Sequence, residues 1–125
     1  MLGNNRDKLW RRRYEDNTRW FKAQTRNYRN EPIKLIVIFA HNARAKSVYR
    51  MLQKFARKSG IPMLYIHGNG HKFKVLDKRQ KQNFVRLQVD RGGIARPLLV
   101  RITEDPSISQ KGDYQFFSQL VQVNR

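Results

Sequence analysis

The sequence contains no cysteine. This absence excludes disulfide bonds and thiolate metal sites, and it is consistent with a reducing compartment. A chain of 125 residues is long enough for one domain whose core folds without metal or disulfide. We therefore expect an intracellular protein, either cytoplasmic or nucleoid-associated.

Long apolar runs are also missing. The longest covers residues 35–40, whereas a membrane-spanning helix needs roughly 20 apolar residues. The first residues lack the apolar stretch of a signal peptide. A helix that binds a membrane surface usually has a clean apolar face and a lysine-rich polar face, but arginine is abundant here. We expect no membrane partner.

Acidic residues are scarce. The chain has 27 Lys and Arg against 9 Asp and Glu, a net charge of +18. Residues 32–76 hold nine Lys and Arg and no carboxylate. A surface of one sign repels itself unless a polyanionic partner offsets the repulsion. Nucleic acid is the favoured partner, because the guanidinium group of arginine forms bidentate hydrogen bonds with phosphates and stacks on bases.

Residues 32–125 predict a single small α/β domain with a βαβ core and a mixed sheet. The apolar run over 33–40 indicates a strand buried on both faces, as at the centre of a sheet. Residues 43–59 follow a helical period that closes at Gly60, and residues 63–66 form the next strand. A strand, helix and strand within about 35 residues constitute a βαβ unit.

The rest of the domain predicts shorter elements. The turn at 68–70 sends the chain back as a short strand through Phe73 and Val75. Strands are expected over 84–89 and 94–102, and Pro97 indicates an edge or a bulge in the second. Residues 114–123 fit a helix and a strand equally well.

Residues 1–31 predict a basic helical arm that belongs to the same structural unit. Trp10, Tyr14, Phe21 and Tyr28 share one helical stripe, so we expect them to dock on the core. The arginines of the arm then face outward, where they reach a nucleic-acid backbone.

The junction over 41–47 is the first candidate site. It connects the end of a predicted strand to the start of a predicted helix, and helix N-termini attract anions. Asn42 is a good N-cap, and Arg44 and Lys46 add charge there. The junction lacks the glycines of a nucleotide-binding loop, so we expect a backbone phosphate contact and no cofactor.

The histidines and carboxylates are weaker candidates. His67 and His71 flank a glycine turn and could join His41 in metal or acid–base chemistry, but an exposed hairpin tip is the favoured interpretation. A metal-dependent nuclease needs convergent carboxylates. Asp90 and Asp105 lie in turn sequences, where aspartate forms local hydrogen bonds.

Cations interleaved with aromatic rings support nucleic-acid binding, and Phe73 is the ring most expected to be exposed and to stack on a base. Because this aromatic pattern is thin, DNA is slightly favoured over RNA. The predicted contacts lie on the arm, the junction, the helix over 43–59 or the short strand after the turn at 68–70: Arg11, Arg12, Arg13, Arg19, Arg26, Asn42, Arg44, Lys46, Arg50, Lys54, Arg57, Lys58, Lys72, Phe73 and Lys74.

The sequence thus predicts a non-enzymatic nucleic-acid-binding protein that acts through a Lys/Arg surface. A binder with 6–10 phosphate contacts loses about three to five decades of affinity between 50 and 200 mM salt. One alternative is a metal-dependent nuclease or other nucleic-acid-processing enzyme that uses Asp77, Asp90 and the histidines. Another is an interaction or inhibitor protein for an acidic protein partner.

Overall fold

The computed structural model describes residues 3–41, 46–76, 83–105, 107, 114–117 and 120–124. Within them no helix is long and apolar enough to cross a membrane. The helices and strands of the described residues follow in this order: α1 (Gly3–Asn27), β1 (Ile36–Ala40), α2 (Lys46–Ser59), β2 (Met63–His67), β3 (Lys74–Leu76), β4 (Phe84–Gln88), β5 (Leu99–Ile102), β6 (Tyr114–Phe116) and β7 (Val121–Asn124).

The larger sheet contains the predicted βαβ unit. Its strand order is β1-β2-β4-β3. β2 is parallel to both β1 and β4, whereas β3 is antiparallel to β4. α2 connects the parallel neighbours β1 and β2, which confirms a small α/β fold with a mixed sheet and an N-terminal helix.

β2 forms the centre of the molecule because all five of its residues are buried. Its side chains alternate between two layers, as a pleated strand requires. Met63 and Tyr65 pack with the helices, and Leu64 and Ile66 pack with the second sheet. Burial raises the pKa of the Tyr65 phenol, and the nearby charge of Arg86 opposes that shift.

The second sheet is antiparallel, with the order β5-β7-β6. Val121, Val123 and Phe116 share one apolar cluster with β2 and β4, so this sheet covers the face that the helices leave open. The ambiguous segment 114–123 therefore contains two strands. Between them Phe117 has a φ of 54°, a left-handed conformation that interrupts regular structure.

Three strand predictions need correction. β1 lies at the edge of the sheet and not at its centre, and its Phe39 is 77% exposed. β3 pairs with β4 and not with β2, because β4 inserts between them. The strand expected from residue 94 begins only at Leu99, since residues 92–94 form a turn and Pro97 cannot donate to a ladder.

The helices pack less completely than the aromatic stripe predicts. The Phe21 ring is buried and meets the Phe55 ring edge-on, with centroids 5.0 Å apart. Tyr14 is half-buried, but Trp10 and Tyr28 are exposed, contrary to prediction. The reason is length: α1 has 25 residues and α2 has 14, so α2 covers only part of α1. Gly60 closes α2 with a φ of 73°, as expected.

Candidate nucleic-acid interface

A groove of about 610 Å³ lies between α1 and α2. Its apolar surface includes Phe21 and Phe55, the pair that joins the two helices. We call it the basic groove, because four cations line it: Lys22 from α1 and Arg50, Lys54 and Lys58 from α2.

The spacing of the α2 cations follows from helix geometry. Arg50, Lys54 and Lys58 recur every four residues, so they form one stripe with steps of about 6 Å. The buried Leu52 and Ala56 hold another face of α2 against the sheet. Like charges at this spacing destabilise a helix by about 0.2–0.5 kcal/mol per pair. A bound anion would relieve that repulsion.

The basic groove has no acidic lining residue in the part of the chain that the structure describes. None of its four cations forms an ion pair with a described carboxylate. Lys34 differs, because its ammonium is paired with the carboxylate of Glu104. The groove cations are therefore available to an external anion.

The predicted arm residues Arg11, Arg12, Arg13, Arg19 and Arg26 are all exposed. The outer surface of α1 is mixed in charge, however. Glu15 and Asp16 lie among Lys8, Arg11, Arg12 and Arg19. This surface therefore combines four cations with two carboxylates, whereas the lining of the basic groove has four cations and no described carboxylate.

The other predicted contacts are distributed around the molecule. Arg57, Lys72 and Lys74 are exposed outside the groove. Phe73 differs from expectation: it is half-buried and packs on the core, with its ring 5.5 Å from that of Tyr114. Asn42, Arg44 and the side chain of Lys46 lie outside the described residues.

A second concave surface, the strand-end cleft, has a volume of about 690 Å³. It lies where the parallel strands β1, β2 and β4 end, the usual position of ligand sites in open α/β sheets. His41 and His67 come from the first two strand ends and Asp90 from the third. Arg91 and Arg96 of the following loop also line it.

His67 is not at an exposed tip, contrary to prediction, because its side chain is only 2% exposed. Its Nδ1 lies 2.9 Å from the Gly68 carbonyl oxygen, which assigns the proton to Nδ1 as donor. Nε2 is buried and has no hydrogen-bond partner among the described residues. His71 is exposed, as expected.

Asp90 has a long-range role where a local turn was expected. Its Oδ1 accepts the backbone N–H of Phe73 at 2.9 Å, which joins the segment before β3 to the end of β4. Asp105 does form the expected local turn: its Oδ1 accepts from the backbone N–H and the hydroxyl of Ser107. These bonds lower the pKa of the Asp105 carboxyl.

A metal centre finds no support in the described part of the chain, which has no group of three or more His, Asp or Glu suited to hold an ion. Asp77, one of the residues suggested for a nuclease, lies outside the described residues. Glu104 is paired with Lys34, and Asp105 with Ser107. Neither lines the strand-end cleft.

Sequence reasoning missed three residues. Lys22 was not among the predicted contacts, although it directly follows the buried Phe21 and so flanks the helix contact. Arg91 and Arg96 were overlooked in the loop after β4. For the loop after β4, the available signal was that the parallel strands β1, β2 and β4 each end next to a polar residue. Polar residues at the ends of parallel strands lie on one edge of the sheet.

Comparisons with known proteins found no matching family model, no matching curated protein and no matching solved structure.

Proposed function

We propose that this protein binds nucleic acid, without catalysing a reaction, through the basic groove between α1 and α2. The observation that carries the proposal is the grouping of Lys22, Arg50, Lys54 and Lys58 around one groove with no described carboxylate in its lining. Cations from two separate segments meet there because Phe21 packs on Phe55.

The chemistry suits a phosphate backbone better than a compact anion. Three of the cations form a line along α2 with steps of about 6 Å, so they spread over an extended ligand. Half to two-thirds of protein–DNA hydrogen bonds go to phosphate and sugar, and lysine and arginine supply many of them. The overall charge of +18 adds long-range attraction.

The arm arginines have a secondary part in this proposal. They add to the positive field, but Glu15 and Asp16 lie beside several of them. DNA is slightly favoured over RNA because the aromatic pattern in the sequence is thin, and the proposed location is inside the cell, where both are present.

A matched pair of triple variants tests the groove. Arg50→Gln, Lys54→Gln and Lys58→Gln remove three groove charges. The control variant carries Arg12→Gln, Arg19→Gln and Arg26→Gln. These substitutions remove three charges that lie on α1, outside the groove lining. Circular dichroism first establishes that both variants remain folded.

Fluorescence anisotropy with labelled DNA and RNA then gives the affinity across a salt series. Each lost phosphate contact reduces the log–log salt slope by about 0.9 on duplex and 0.7 on single strands. The log–log salt slope of the groove variant should be shallower than that of wild type by about two to three, and the slope of the control variant by less than one. Equal losses in both variants would contradict the groove. Failure of the wild-type protein to bind would contradict nucleic-acid binding itself and direct attention to an acidic protein partner.

A further inference from the structure

Both tryptophans of the chain are exposed on α1. Trp10 is 62% exposed and Trp20 is 64% exposed. Indole rings carry a large apolar surface and usually bury it in cores or against partners. Exposed rings on a cationic helix can stack on nucleobases.

Trp10 lies one helical turn from the basic groove, outside the residues that line it. It precedes Tyr14 by four residues, so the two lie one helical turn apart on the same side of α1. Tyr14 lines the basic groove. Trp10 is therefore about 6 Å along α1 from the groove residue Tyr14. Arg11, which follows Trp10 in the chain, and Arg13, which lies three residues further on than Trp10, are both exposed.

Trp20 lies on a different flank of the same helix. At 3.6 residues per turn it is about 120° from Tyr14 and about 160° from Lys22 around the helix axis. It does not line the basic groove, although it is as exposed as Trp10. Trp20 therefore serves as a control for Trp10, because it is an exposed indole outside the basic groove, on a different flank of α1.

We propose that Trp10 is a stacking platform for an unpaired base, and that the ligand of the basic groove is single-stranded nucleic acid. The inference rests on the proposed function and specifies its ligand. Phosphates would follow the cations of α2 and Lys22, and a base next to that stretch would lie on the Trp10 ring. A duplex offers no such contact, because its bases are stacked inside the helix.

Exposure of Trp10 also removes the ground for favouring DNA over RNA, which was the thin pattern of exposed aromatic rings. The sequence pattern placed Trp10 in the core and left Phe73 as the exposed ring, whereas the structure exposes Trp10 and half-buries Phe73. The reversal matters because ring stacking contributes about 1–3 kcal/mol per base in single-strand binding.

Intrinsic fluorescence provides a direct test, because the chain has only two tryptophans. Trp20→Phe leaves Trp10 as the sole indole, and Trp10→Phe leaves Trp20. Each variant is titrated with oligothymidylate, oligouridylate and a DNA duplex of matched length. We expect either single strand to quench Trp10 emission strongly, the duplex to quench it weakly, and Trp20 emission to change little.

Anisotropy on alanine variants gives an independent readout. Trp10→Ala should weaken single-strand affinity by about 5- to 150-fold, and Trp20→Ala should leave it within about twofold of wild type. Duplex affinity should be nearly the same in both variants. Comparison of oligouridylate with oligodeoxyuridylate, which differ only in the sugar, then identifies the preferred sugar.

Three outcomes would overturn the inference. If single strands bind but leave Trp10 emission and Trp10→Ala affinity unchanged, stacking is wrong while nucleic-acid binding stands. If the duplex quenches Trp10 as strongly as the single strands, the ligand class is wrong. If neither single strand nor duplex binds at physiological salt, the proposed function falls and this inference falls with it.

Discussion

The carboxylate of Asp90 accepts the backbone N–H of Phe73 across 17 residues, at 2.9 Å. This bond connects the end of β4 to the segment that enters β3, and both residues line the strand-end cleft. The cleft therefore depends on a contact between chain segments that meet only in the folded protein.

Asp90→Ala should destabilise the fold by about 1.5–3 kcal/mol, the range for hydrogen bonds to charged groups. Asp90→Asn keeps an acceptor oxygen and should cost less. Urea unfolding followed by circular dichroism measures both. An Asp90→Ala variant within about 0.5 kcal/mol of wild type, the usual scatter for surface substitutions, would contradict this role.

Gly70 and Gln88 form a second link between the same segments. A Cβ at Gly70 would lie 2.1 Å from the Gln88 side-chain amide, whose Nε2 donates to the Lys72 carbonyl at 2.7 Å. Gly70→Ala should displace that flexible amide and break the bond, at a cost of about 0.5–1.5 kcal/mol.

The same substitution should change sign when Gln88 is already alanine. The obstructing amide is then gone, and alanine restricts the unfolded chain more than glycine does, so Gly70→Ala becomes neutral or stabilising. A double-mutant cycle by urea unfolding measures the coupling. Additive effects of the two substitutions would show that Gly70 and Gln88 do not interact.

The turn at Asp105 leads to a prediction on pH. The Ser107 hydroxyl and backbone N–H lower the pKa of the Asp105 carboxyl. A lowered folded-state pKa means that the turn's stabilisation is present above the unfolded value of about 3.9 and is lost as pH falls through the folded value.

Ser107→Ala should raise the Asp105 pKa part of the way to its ordinary value, since the backbone N–H remains as a donor. An NMR titration of the Asp105 carboxyl carbon in wild type and variant measures this shift. Identical titration curves would contradict the assignment to the hydroxyl.

The fold was predictable where neighbouring residues decide it. The helical period over 43–59 and the apolar strands beside it were sufficient for the βαβ unit, and Gly60 marked the helix end. The order of strands in the sheet was not predictable, because pairing partners lie far apart in sequence. Both β1 and β2 read as apolar runs, but only β2 acquires neighbours on both sides in the described sheet.

The candidate interface was predictable in part for the same reason. Arg50, Lys54 and Lys58 form a stripe that helix geometry alone reveals. Lys22 joins them through the packing of Phe21 on Phe55, a contact between segments more than 30 residues apart. The exposure of Trp10 depends on how far α2 extends along α1, which no local pattern records.

The salt dependence of wild-type affinity is the sharpest check on phosphate binding by the basic groove. Anisotropy with labelled single strands and duplex, from low to physiological salt, gives the log–log slope. If all four groove cations contact phosphates, the slope should be about −2.8 on single strands and about −3.6 on duplex. Contacts from arm arginines would make both slopes steeper. A flat response, or no binding at physiological salt, would mean that the basic groove does not bind a phosphate backbone.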